Sequence, residues 1–104
     1  MTSTPTTDIE TYLQTLETYL DHANAQAIRV FIANRAAEGR SKARQKRDAQ
    51  LLAYFVTRFT SDGFQLPDAS DAELARSLTA VAQSNDADAT KTEMERTSRR
   101  FYQR

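Results

Sequence analysis

Apolar residues recur in steps of three and four along the whole chain, and that spacing leaves one fold class open. Ile9, Leu13, Leu16 and Tyr19/Leu20 form the first line, and Ala27, Ile28, Phe31 and Ile32 the second. Leu51/Leu52, Phe55, Val56 and Phe59 follow, then Leu74, Leu78 and Val81, then Met94, Ser98 and Phe101. A strand needs alternation with a period of two, and no segment shows it, so the chain reads as all-α. The two glycines, Gly39 and Gly63, and the two prolines, Pro5 and Pro67, lie between the periodic segments. Helices are expected near 7–20, 24–38, 41–60, 70–84 and 88–102, after a disordered tail over 1–6. Thr7-Asp-Ile-Glu10, Ser70-Asp-Ala-Glu73 and Thr90-Lys-Thr-Glu93 fit the capping box, in which hydroxyl and carboxylate satisfy orphan N–H groups. Gly39 suits the position just past the second helix.

At 104 residues the chain fits one domain that buries roughly two-thirds of its unfolded surface. It has no cysteine and one histidine, His22, which excludes thiol chemistry and a histidine metal cluster. No cofactor is expected. The opening MTSTPTTD lacks the cationic start and apolar run of a signal peptide. No apolar stretch approaches the ~20 residues a membrane span needs. The expectation is a soluble, cytoplasmic protein with no membrane partner.

The net charge of zero hides a segregated pattern. Residues 1–34 carry a net −3, residues 35–61 +5, residues 62–90 −5 and residues 91–104 +3. Five of the fourteen basic residues fall within Arg40–Arg47, in the stretch GRSKARQKR. This works against local helix physics, because the N-terminus of a helix already carries about half a positive charge. Three residues after the cap Ser41 stands Arg44, where the other boxes have glutamate. Cations and free N–H groups at that end favour an incoming anion such as phosphate. With Leu52, Phe55 and Phe59 turned inward, Lys46, Arg47 and Gln50 point outward and Lys42 flanks them. Gln45 lies nearer the core side, and Arg44 stands beside Asp48. A second basic stretch, Lys91, Arg96, Arg99 and Arg100, flanks the apolar line of the last helix. Either the two stretches are ordinary solvated surface, or they neutralise the phosphates of a nucleic acid.

Three stretches carry a family resemblance: HANAQAIRVFIANRAAEGRSKARQKRDAQLLAYFVTRF, LPDASDAELARSLTAVAQS and DATKTEMERTSRRFY. Over residues 22–104 they resemble the amino-terminal core-binding (SAM-like) domain of tyrosine recombinases and phage integrases, especially archaeal Xer-type enzymes. A helix ends in "EG-S-", the next opens with a basic "S-AR---" run, a third follows "DA-DAEL", and a fourth begins "TK" and ends "FY". The resemblance implies a compact four-helix bundle over 24–104 with an accessory N-terminal helix over 7–23. It implies a DNA-binding module of a site-specific recombinase that clamps double-stranded DNA in the major groove and on its phosphates. Carried onto this chain, the DNA-binding candidates are Arg40, Ser41, Lys42, Arg44, Gln45 and Arg47, with Thr90, Lys91, Arg96, Arg99 and Arg100; Lys46 joins them from the charge pattern. Gln45 and Arg44 are the candidates for reading base edges. The family cleaves DNA with a carboxy-terminal catalytic domain, and the paired arginines, lysine and histidine groups of that domain do not occur here. On its own the chain is therefore expected to be non-catalytic, with a catalytic domain and other recombinase protomers as partners.

The remaining candidates have plainer readings. Tyr102 reads as a packing residue near the end of the last helix, and His22 as a cap or a packing residue. The carboxylates of DASDAE and NDADAT complement helix starts. Phe31, Tyr54, Phe55, Phe59 and Phe101 read as core, with Tyr54 and Phe64 as the aromatics open to an exposed reading. Tyr12 and Tyr19 on the first helix are candidates for a partner surface. Two alternatives stay open: a small helical protein-interaction module or accessory regulator of recombination, and a helix-turn-helix repressor in which GRSKAR supplies the turn.

Overall fold

The computed structural model describes residues 5–102, and side chains over 9–102. It has five helices: α1 (Pro5–Leu16), α2 (His22–Ala37), α3 (Lys42–Phe59), α4 (Asp71–Ala82) and α5 (Asp88–Phe101). A short 3-10 turn, Leu66–Asp68, interrupts the loop between α3 and α4. α3 is the central element, with α1, α2, α4 and α5 all packed against it. The reason is its burial pattern: Ala49, Leu51, Leu52, Ala53, Phe55 and Val56 are all buried, so α3 has apolar contact on more than one side.

The helices start within two residues of their expected positions, and the differences have physical causes. α1 begins at Pro5, a residue favoured in the first helical turn because its missing N–H is not needed there. Pro5 and Thr6 are thus helical; residues 1–4 of the expected tail lie outside the described residues. The segment 7–23 is no appendage, since Ile9, Leu16 and Leu20 are buried in the same core as α2, α3 and α5. α1 stops at Leu16, short of the expected end, and Leu20 reaches the core from the turn that follows.

Gly39 closes α2 with φ +84°, in the left-handed region that glycine enters without strain. Its N–H donates to the Ala36 carbonyl (3.0 Å) and the Arg40 N–H to the Arg35 carbonyl (3.2 Å), the paired bonds of a Schellman ending. The chain turns there and α3 starts three residues after Gly39, with the Ser41 hydroxyl accepting from the Arg44 N–H at 3.1 Å. Ser70 and Glu73 make both bonds of the expected capping box on α4. The box expected at Thr90 does not form: α5 starts at Asp88 after an Ala87 cap, and Glu93 is drawn elsewhere.

Asn24 pins the long α3–α4 loop to α2. Its side-chain amide donates to the Phe64 carbonyl (2.9 Å), and its carbonyl accepts from the Leu66 N–H (2.7 Å). Phe64, expected to stand exposed, is therefore buried and meets Phe55 edge to face at 6.3 Å. Tyr54 is half-buried. Tyr102 closes the far end of the loop by donating its hydroxyl to the Leu66 carbonyl at 2.7 Å. Burial pushes that phenol up to about 12, with the Glu73 carboxylate adding to the shift. Phe31 and Phe101, 5.6 Å apart, join α2 to α5.

Candidate nucleic-acid interface

The candidate residues separate into three groups once the helices are packed. At 3.6 residues per turn, Lys42 and Lys46 fall on one line of α3, and Arg44 and Arg47 on another, about 100° and more away. The second line faces α5. There Glu93 receives the Arg47 guanidinium at 2.7 Å and the Arg44 guanidinium at 3.6 Å. These contacts hold the Glu93 carboxyl below the ordinary range, chiefly through the hydrogen bond from Arg47. Arg44 also donates its Nε to Asp48 at 2.9 Å, which raises its already high value.

Asp48 is the anchor of the network. It is 1% exposed and receives Arg44 on one oxygen and Arg35 Nε (3.1 Å) on the other. Arg35 is 5% exposed and spends a second nitrogen on Glu38 at 2.9 Å. A buried ion pair with every oxygen occupied is costly to form but more costly to break. Arg35 was not among the candidates, yet it occupies the next helical step after Ile28 and Phe31/Ile32. Asp48 likewise precedes Leu52 and Phe55 on the buried line of α3. A charged residue at an apolar position was the available signal in both cases.

Beside this network the α2–α3 turn, the first turns of α3 and the middle of α5 enclose a cleft of about 180 Å³. Arg40, Arg44, Arg96 and Arg100, from two stretches distant in sequence, all line it. Arg40, Lys42, Lys46, Arg96 and Arg100 have no side-chain hydrogen bond or ion pair among the described residues. They are the cations the fold leaves unneutralised at this end of the molecule.

The other candidates do different work. Gln45 is 6% exposed and donates its amide to the Arg40 carbonyl at 2.8 Å, so it braces the turn from inside. Both Gln45 and Arg44 thus use their donors on the protein. Lys91 Nζ reaches the Ala82 carbonyl at 3.1 Å and satisfies an orphan group at the end of α4. Arg99 pairs with Glu95 at 3.0 Å and lines a cleft with α4, away from Arg96 and Arg100. Ser41 serves as the α3 cap. Thr90 lies on a separate groove of about 450 Å³ with Tyr12, Tyr19, Tyr54 and Asp86.

In that groove the Tyr54 hydroxyl donates to Asp86 at 3.0 Å, and the Tyr12 and Tyr19 hydroxyls lie 3.4 Å apart. Burial first, and the Tyr19 contact second, push the Tyr12 phenol up. Tyr19 is 50% exposed. His22 opens α2 and contacts Glu17 at 3.2 Å. Among the described residues no group of histidines and carboxylates is placed to hold a metal ion, and no helix is long and apolar enough to cross a membrane.

Comparison with known proteins adds no family to these observations: no family model, no curated protein and no solved structure matches the chain.

Proposed function

We propose that this chain binds double-stranded DNA through the basic end formed by the α2–α3 turn, the start of α3 and α5, as the core-binding module of a tyrosine recombinase. One observation carries the reading. Basic residues from two separate blocks converge on one cleft, where Arg40, Arg96 and Arg100 have no side-chain partner among the described residues; Lys42 and Lys46 stand equally unpaired on the neighbouring outer line of α3. Arg35, Arg44 and Arg47, in and beside the cleft, are already paired with Asp48 and Glu93, so these two carboxylates do not neutralise the remaining cations. Unpaired cations gathered in one place favour a polyanion, and counterion release from the duplex supplies the affinity. The recombinase identity rests on the sequence resemblance, and α1 then belongs to the module's core.

Lys42 and Lys46 give the cleanest test, because neither takes part in the ion-pair network. The wild-type chain is expected to hold a nonspecific duplex at about 10⁻⁴–10⁻⁶ M near physiological salt. The Lys42→Glu/Lys46→Glu variant should lose measurable binding at that salt. Its slope of log affinity against log salt should shrink by about 0.9 for each phosphate contact removed. Fluorescence anisotropy over a salt series reads both quantities, and an unchanged slope counts against the assignment.

A second reading draws on the tyrosine groove. Tyr12, Tyr19 and Tyr54 around a half-exposed ring, with Asp86 beside them, resemble a protein-contact surface more than a phosphate surface. Under this reading the chain is a helical interaction module. Absence of any duplex binding at low salt, with Tyr19→Ala weakening capture of a recombinase protomer, would support it.

A further inference from the structure

We infer that the cleft between the α2–α3 turn and α5 is a receptor for a single phosphoryl group carrying two negative charges. Its charge is the first argument. Five arginines and two carboxylates line it, and the carboxylates, Asp48 and Glu93, are already committed to Arg35, Arg44 and Arg47. Three guanidiniums remain, those of Arg40, Arg96 and Arg100, and none has a partner among the described residues. One backbone phosphodiester brings a single charge, whereas a phosphate monoester brings about −1.5 to −2 at neutral pH. The surplus matches the monoester better.

Geometry agrees with the charge. Arg96 and Arg100 are one turn apart on the same face of α5, and Arg40 approaches from the α2–α3 turn on another wall. Guanidinium forks converging from two sides suit the oxygens of a tetrahedral anion. Thr97 adds a neutral donor. It is 5% exposed, lines the cleft and makes no side-chain hydrogen bond among the described residues. Its hydroxyl oxygen is open to solvent and not sealed in the core, so it is free to donate to an anion in the cleft. At about 180 Å³ the cleft is smaller than the roughly 300–1,000 Å³ of sites that enclose whole small molecules, so it admits a headgroup and leaves the remainder outside. Its floor is already fixed, because Arg44 is tied to both Asp48 and Glu93.

The phosphoryl group has two sources: the phosphorylated end of a nucleic acid, or a small free phosphate. Only the first rests on the DNA reading. The test uses the full chain in two arms. Inorganic phosphate is titrated against chloride at equal ionic strength while backbone amide resonances are followed. Duplexes with 5′-phosphate and 5′-hydroxyl ends are then compared by anisotropy. Saturable shifts at Arg40 and 96–100, lost in Arg96→Gln/Arg100→Gln and weakened in Thr97→Val, are the expected result. A phosphorylated end bound about tenfold more tightly than a hydroxyl end assigns the nucleic-acid source. Equal binding of the two ends, with phosphate still saturating, assigns the free phosphate. If phosphate shifts nothing beyond chloride while the hydroxyl-ended duplex binds, the inference falls and the DNA reading stands. If phosphate saturates the cleft but no duplex binds, the DNA reading falls and the inference stands.

Discussion

At the scale of single residues, the fold concentrates its risk in two side chains, Asp48 and Ser98. Asp48 is 1% exposed and compensates Arg35, itself 5% exposed, so removing the carboxylate charge leaves a buried guanidinium with only the exposed Glu38 carboxylate as counterion. Asp48→Asn should therefore cost about 3–5 kcal/mol in urea unfolding, while an Arg35→Met/Asp48→Leu pair should come close to wild-type stability. The contrast separates the worth of the pair from the penalty of breaking it. Ser98 presents the opposite case. Its hydroxyl is buried with no hydrogen-bond partner among the described residues, on the apolar Met94–Phe101 line. Ser98→Ala removes an unsatisfied group at little cost in volume, and should raise stability by about 1 kcal/mol. For a domain of this size that is a melting temperature higher by roughly 4–8 °C. A variant that melts lower would show that the hydroxyl has a role the packing does not reveal.

At the scale of elements, the junction of α3 with α5 depends on Glu93, which answers two arginines of the neighbouring helix. The folded state lowers this carboxyl's proton affinity, so its contribution is fully present above the unfolded value of about 4.3 and is lost as pH falls through the lower folded value. Glu73 shifts in the same direction, chiefly because the Ser70 backbone N–H donates to it. Glu93→Gln should thus flatten part of the acid limb of a stability–pH curve and leave the Glu73 part in place. Chemical denaturation between pH 3 and 6, values chosen to bracket that range, reads the difference. The helices themselves were legible from apolar spacing, and the Ser41 and Ser70 caps from local chemistry, because both signals act within four residues. Glu93 was misread as a cap because its true partners lie 46 and 49 residues away in sequence, a distance that local pattern does not span. The same limit explains the site. The two basic blocks were visible as composition, but Lys91 and Arg99 look identical in sequence to Arg96 and Arg100. Only the packing of α5 against α4 turns the first pair away from the cleft.

At the scale of the whole molecule, the decisive question is whether α1 is an accessory to a four-helix module or part of its core. Ile9, Leu16 and Leu20 are buried, and the helix lies mainly against α3, the element that also carries the start of the basic end. Each large apolar side chain taken out of water contributes about 1.5–3 kcal/mol, so these three together represent roughly 5–9 kcal/mol of gross burial. That is comparable with the whole net stability of a domain, about 5–15 kcal/mol. Removing residues 1–20 would also strip cover from the α3 surface, where Ala53 is buried although it faces away from the Leu52–Phe55 line. The shortened chain should therefore lose cooperative unfolding, and with it the fixed approach of α5 to α3 on which the cleft depends. A far-ultraviolet helical signal reduced by no more than the loss of α1, with a broad, uncooperative thermal transition, is the expected outcome. If instead residues 21–104 melt sharply near the wild-type temperature and keep the salt-dependent duplex binding, then α1 is dispensable, and the four remaining helices form a self-sufficient module of the kind the sequence resemblance implies.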